Sequence, residues 1–145
     1  MKRIEVVQNI LEANDSIAAQ NQQLLDKHRV FAINIMSSPG AGKTSLILQT
    51  IVKLKNKLRI GVIEGDVAST LDAEKVKNEA IAVVQINTRN MSESCSLIAP
   101  MVDQALKNLP LEDIDLLLIE NVGNLICPSE FALGEHKRVV ISSLP

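Results

Sequence analysis

Aromatic side chains are nearly missing from this chain. There is no Trp and no Tyr, and only Phe31 and Phe131 carry an aromatic ring. The core must therefore be packed from Leu, Ile, Val and Ala. The stacking platforms that hold single-stranded nucleic acids are excluded with the aromatics. Excess positive charge is missing as well, the formal net charge being -2. That argues against a nucleic-acid partner and against an anionic membrane surface, both of which are met by clustered Lys and Arg. No apolar run reaches the length of a membrane span. The N-terminus, Met1-Lys2-Arg3-Ile4-Glu5, meets charge where a secretory signal would be apolar, so a cytoplasmic location is expected. Cysteine is scarce: Cys95 and Cys127 stand 32 positions apart. In a reducing compartment they are expected as thiols or metal ligands rather than as a disulfide. His28 and His136 are the only histidines, and each alone reads as structural rather than as a ligand.

What is present is ordinary apolar content, 46% over 145 residues, enough for one domain with a true core. Residues 2–27 read as a helix, because Ile10/Leu11, Ile17/Ala18 and Leu24/Leu25 recur every seven positions. Asn14 and Asp15 interrupt that stripe, and a break is expected there. The stripe fits a helix packed on its own domain or one kept for a partner. The division is a helical segment over 1–29 and a phosphate-binding domain over 30–145. Short runs rich in Ile, Val and Leu at 59–64, 81–86, 114–120 and 137–143 read as buried strands. Helical patterns at 72–79 and 97–109 lie between them, with Pro100 tolerable only in a first turn. The alternation predicts an α/β fold, a mainly parallel sheet with helices on both faces. The sequence stops at Leu144-Pro145 directly after a strand, so a sheet short of its last α/β unit is expected.

The stretch Ser37-Ser38-Pro39-Gly40-Ala41-Gly42-Lys43-Thr44 is a phosphate-binding loop between an apolar strand and a helix. Its glycines let backbone N–H groups turn toward phosphate oxygens, and the helix start adds unpaired donors and a positive dipole end. Gly40, Ala41, Gly42, Lys43, Thr44 and Ser45 are the nucleotide-facing set. Lys43 is expected at the β/γ-phosphates and Thr44 on Mg²⁺. The first glycine of the full pattern is replaced by Ser37. Two strands end in acids, Glu64-Gly65-Asp66 and Glu120-Asn121-Val122-Gly123. Ligands of open α/β sheets lie outside the carboxyl ends of the strands. Asp66, Glu120 and Thr44 are therefore expected to supply the Mg²⁺ shell or to orient the attacking water. An acid after a strand is also an ordinary turn residue. Asp72 is a second candidate, and its other reading is a first-turn helix carboxylate.

Four segments together resemble the HypB family, GTPases of nickel insertion into hydrogenase. They are Ser38-Pro39-Gly40-Ala41-Gly42-Lys43-Thr44, Glu64-Gly65-Asp66, Val84-Gln85-Ile86-Asn87-Thr88 and Ile119-Glu120-Asn121-Val122-Gly123-Asn124-Leu125-Ile126-Cys127-Pro128. The last is the most specific, since most small GTPases place an Asp where Glu120 stands. Leu133-Gly134-Glu135-His136-Lys137 adds to the likeness, which runs from about Val30 to the end. The resemblance implies a dimerising P-loop domain that binds and hydrolyses GTP with Mg²⁺. It also implies a Ni²⁺ or Zn²⁺ site at the subunit interface, a HypA-type nickel chaperone and the hydrogenase large subunit as partners. The family's Cys-His pair and following His appear here as Cys95-Ser96 and Pro100, so one thiolate per segment remains, Cys95 and Cys127. Four thiolates from a symmetric dimer suit Zn²⁺ or Ni²⁺. The other reading is two buried cysteines acting as small hydrophobes. The guanine-reading Asn-Lys-x-Asp segment is absent from the sequence, so GTP and ATP are expected to bind within about tenfold of each other. A non-catalytic or truncated relative, or a related P-loop ATPase, are the competing readings.

Overall fold

The computed structural model of the protein describes residues 2–65, 71–87 and 95–144. The first helix, α1 (Lys2–Lys27), runs unbroken through Asn14 and Asp15. The expected break does not occur because Asn14 belongs to the buried seam. Its Nδ2 donates to the Ala132 carbonyl and its Oδ1 accepts from the Ala99 amide, both at 2.8 Å. Asn21, one heptad on, donates to the carbonyls of Ala99 and Leu133, each at 3.0 Å. Ala18 and Leu25 complete the seam and are also buried. Polar residues at these positions thus satisfy backbone groups of other segments, which an apolar residue would leave unpaired.

The chain then alternates β1 (Phe31–Ser37), α2 (Lys43–Leu54), β2 (Ile60–Glu64), α3 (Leu71–Glu79), β3 (Ala82–Gln85), α4 (Ala99–Leu106), β4 (Leu116–Glu120) and β5 (Lys137–Ile141). The strands form one sheet in the order β3-β2-β4-β1-β5, with every pairing parallel. β2 and β4 are buried at all five positions, as strands covered on both faces must be. Side chains alternate between two cores. Ile35, Val62, Leu116 and Leu118 pack with Ile47, Leu48 and Ile51 of α2 and Val76 of α3. Ala32, Ile63, Leu117 and Ile119 pack on the opposite face with Leu25 of α1 and Val102 and Leu106 of α4. Pro100 sits in the first turn of α4. β5 is paired on one side only, and residues 137–140 are exposed.

His136 is structural. Its Nδ1 accepts from the Ala32 amide at 3.0 Å, its Nε2 meets Asp26 Oδ1 at 2.6 Å, and its ring stacks on Phe31. At the amino end of the sheet Arg59 grips both oxygens of Asp115, at 3.0 and 3.1 Å. Hydrogen bonding from Arg59 holds the Asp115 carboxyl below its usual value.

The loop before β5 is pressed against α1 at Gly134. A Cβ there would lie 2.6 Å from Asn21 Cβ and 2.7 Å from the Ala18 carbonyl, at φ +99. Gly134→Ala should therefore cost roughly 2–5 kcal/mol, a left-handed backbone penalty plus overpacking. A fall in the urea midpoint at constant m is the expected readout. An unchanged midpoint would mean that the loop is free to lift off α1.

Candidate functional site: a phosphate loop beside buried carboxylates

The carboxyl ends of the strands meet the start of α2. Gly40 and Gly42 hold φ of 75° and 92°, and a Cβ at either would touch nothing within 4 Å. The demand for glycine is thus conformational. Ser37 lies inside β1, buried in extended backbone, where no glycine is required; its hydroxyl donates to the Ser38 carbonyl. Ala41 lies between the two glycines, in the bend before α2. Gly42 caps α2, the cap makes no side-chain hydrogen bond, and no acid sits in the first turn. A helix start of this kind, with its dipole end and no acidic cap, favours an anion. Lys43, the first residue of α2, is only 6% exposed.

The two residues after Lys43 each hold an acid. Thr44 Oγ1 donates to Glu120 Oε1 at 2.7 Å, and Ser45 Oγ donates to Asp72 Oδ2 at 2.8 Å. Glu120 is buried at the tip of β4. Asp72 lies in the first turn of α3, where its reading as a helix carboxylate puts it, and it accepts from Ser45 of the phosphate-loop helix. Asp66, the remaining expected acid, lies outside the described residues. A threonine hydroxyl against a buried carboxylate, beside a helix N-terminus, fits Mg²⁺ held between protein and phosphate oxygens. The ion would supply charge for the phosphate oxygens, with Thr44 and Glu120 holding it.

The cysteines depart from expectation. Cys95 and Cys127 meet within one chain and are joined as a disulfide, rather than standing as separate thiols or ligands. The physical reason is placement. Asn121, directly after Glu120, draws the Cys95 segment to the tip of β4, accepting from the Leu97 and Val122 amides at 3.0 and 2.9 Å. A disulfide sulfur is not a thiolate, so metal binding here requires the reduced pair. Among the described residues, no group of three His, Cys, Asp or Glu side chains is placed to hold a metal.

Sequence reading missed three participants. Asn34 is fully buried in β1, donating to Glu135 Oε2 at 2.7 Å and accepting from Asn121 Nδ2 at 3.1 Å. Glu135 also accepts from the Leu133 amide and pairs with Arg138 at 3.5 Å. Glu64 is 2% exposed at the end of β2. The one available signal was polarity inside apolar strands: Asn34 within Phe31–Ser37 and Glu64 closing Ile60–Glu64.

This fold and this loop define a P-loop nucleotide-binding protein. The nucleotide-binding domain shared by CobW, HypB and UreG matches residues 31–142, and the chain belongs to that family. It is 46% identical over 140 residues to a probable hydrogenase maturation factor HypB of Methanocaldococcus jannaschii, covering 97% of this chain and 62% of that protein. Among solved structures it resembles HypB of Archaeoglobus fulgidus at TM-score 0.81 and 44% identity, over 90% of this chain and 62% of that one. HypB of Helicobacter pylori in complex with nickel matches at TM-score 0.76 and 37% identity, over 88% and 59%.

Asn121→Ala would strand two amides and the Asn34 side chain, and should cost roughly 2–4 kcal/mol. Hydrogen exchange at the Leu97 amide should accelerate beyond the global change. Asn121→Asp keeps the acceptor and should retain Leu97 protection; equal loss in both variants would refute this account.

Proposed function

We propose that this chain is a HypB-type nucleotide switch that binds and hydrolyses GTP with Mg²⁺ in service of nickel insertion into hydrogenase. The observation that carries the reading is the Thr44–Glu120 hydrogen bond at the mouth of the phosphate loop. It joins the hydroxyl and the carboxylate that a phosphate-bound Mg²⁺ needs. Gly40, Ala41 and Gly42 bind phosphate oxygens through backbone amides, and Lys43 offsets charge on the β/γ-phosphates. Glu120 and Asp66 position the ion or the attacking water, and Ser45 with Asp72 braces the loop from α3. The names of the relatives support hydrogenase maturation, and the nickel complex of one of them supports nickel as cargo. A homodimer, a HypA-type chaperone, the hydrogenase large subunit and a cytoplasmic setting complete the proposal. No described helix is long and apolar enough to cross a membrane.

Two experiments test this. Lys43→Ala should weaken nucleoside triphosphate binding by roughly 1.5–3 kcal/mol, the range for hydrogen bonds to charged groups. Calorimetric titration and phosphate release measure binding and turnover; a variant as tight and as active as the parent sinks the phosphate-loop reading. The cysteine pair should take up Ni²⁺ or Zn²⁺ only after reduction, through four thiolates of a dimer, with uptake falling as pH falls because each thiol must lose its proton. Cys95→Ser and Cys127→Ser should each abolish tight metal binding and leave nucleotide binding intact. Metal retained by the double serine variant, or bound stoichiometrically by a monomer, would exclude this site.

A further inference from the structure

A relay of hydrogen bonds crosses the sheet on the face opposite to α2. Glu135 stands just before β5, Asn34 lies in β1, and Asn121 follows β4. Glu135 Oε2 accepts from Asn34 Nδ2 at 2.7 Å, and Asn34 Oδ1 accepts from Asn121 Nδ2 at 3.1 Å. Asn121 Oδ1 accepts in turn from the Leu97 and Val122 amides. Leu97 carries the contact on to β2, its side chain lying within 2.8 Å of where a Cβ on Gly65 would be. The order β5, β1, β4, β2 is the order of these strands in the sheet.

Asn34, Asn121 and Leu97 are fully buried, and the Glu135 side chain is 5% exposed. A side-chain amide has nearly the same shape either way round, so packing alone does not choose which end faces which neighbour. The carboxylate chooses. It only accepts, so Asn34 presents its nitrogen to Glu135 and its oxygen to Asn121. Asn121 must then present its nitrogen to Asn34 and its oxygen to the two backbone amides. Turning either amide would set N–H against N–H or oxygen against oxygen, and buried groups orphaned in this way carry their full desolvation cost. Arg138, 3.5 Å away, keeps a positive charge beside Glu135.

We propose that Glu135 is a positioning residue: its charge sets the direction of this relay, and the relay holds the β4 tip so that Glu120 meets Thr44. The inference deepens the reading above and rests on it for the role of Glu120. The Glu135 side chain bonds Asn34, the Leu133 amide and Arg138, none of them in the phosphate loop. A shift of about 1 Å at a catalytic group costs on the order of 10²-fold in rate. Glu135 therefore acts on turnover more than on nucleotide affinity, which the loop supplies.

Asn121→Asp is the probe, because it puts a second carboxylate at the other end of Asn34. Asn34 has one NH₂ group for two carboxylates, so one of them faces its oxygen. Adding Glu135→Gln removes the conflict by reversing the relay: the glutamine nitrogen donates to Asn34, and Asn34 donates to the new carboxylate. The glutamine oxygen keeps the Leu133 amide, and the new carboxylate keeps those of Leu97 and Val122. Asn121→Asp should lower kcat for GTP hydrolysis at least about tenfold and leave GTP affinity within about threefold. It should also lower the urea midpoint. Glu135→Gln should lower that midpoint in the parent, where one oxygen must serve two donors, yet raise both midpoint and kcat in the Asn121→Asp background. Glu135→Met removes the same charge without supplying a donor and should give no recovery. Equal recovery with Gln and Met, or effects that simply add, overturns the proposal. Recovery of the midpoint without kcat overturns the positioning role. If Asn121→Asp does not fold, folding regained with Glu135→Gln and not with Glu135→Met is the supporting result. A parent that hydrolyses no triphosphate defeats the functional reading alone, because the midpoints decide the relay without nucleotide.

Discussion

The amide of Asn121 ties the site to the rest of the molecule. It follows Glu120 at the tip of β4 and is fully buried. Its oxygen takes two backbone amides and its nitrogen bonds Asn34. Asn34 passes the connection to Glu135, Glu135 to the Leu133 amide, and Asn21 of α1 holds the Leu133 carbonyl. Buried polar chains of this kind are costly when broken and rigid when complete, because a low local dielectric strengthens every bond and penalises every vacancy. The position of Glu120 is thus fixed twice, by strand register below and by this network behind. α1 takes part in that fixing, although it lies on the face of the sheet opposite to α2.

Parallel pairing explains why so many functional groups converge. All five strands end on one edge, so Glu64, Glu120 and the loop after β1 arrive together without any local sequence signal linking them. The two-residue period then sorts them. Glu64 and Glu120 fall on the α2 face, where a helix N-terminus offers amides and Lys43 offers a cation. The intervening Ile63 and Ile119 fill the other core.

Features set by local spacing were legible in the sequence: the phosphate loop, the strand–helix alternation and the seven-residue stripe of α1. What was not legible depends on long-range partners. Asn14 looked like a break because its acceptor and donor lie 118 and 85 positions away. Periodicity carries no information about such pairs. The same holds for Cys95 and Cys127, whose meeting depends on where Asn121 draws the Leu97 segment. Glu64 was visible as an acid in an apolar strand, but its orphaned oxygen shows only when the burial of its neighbours is known.

The cysteine pair and the phosphate loop share one anchor. Leu97 hangs from Asn121, and Asn121 adjoins the carboxylate that holds Thr44. If phosphate or a cation moves Glu120, the tip of β4 can follow in two ways only. The network moves as a unit and carries the Cys95 segment with it, or its buried hydrogen bonds break at a cost of about 1–3 kcal/mol each. The segment that follows Cys95 is held from the strand side by Asn121 and from α1 by Asn14 and Asn21, which bond Ala99. The disulfide ties Cys95 to the turn at Cys127 as well. The strand tip, α1 and the Cys127 turn therefore share one frame, polar on two sides and covalent on the third.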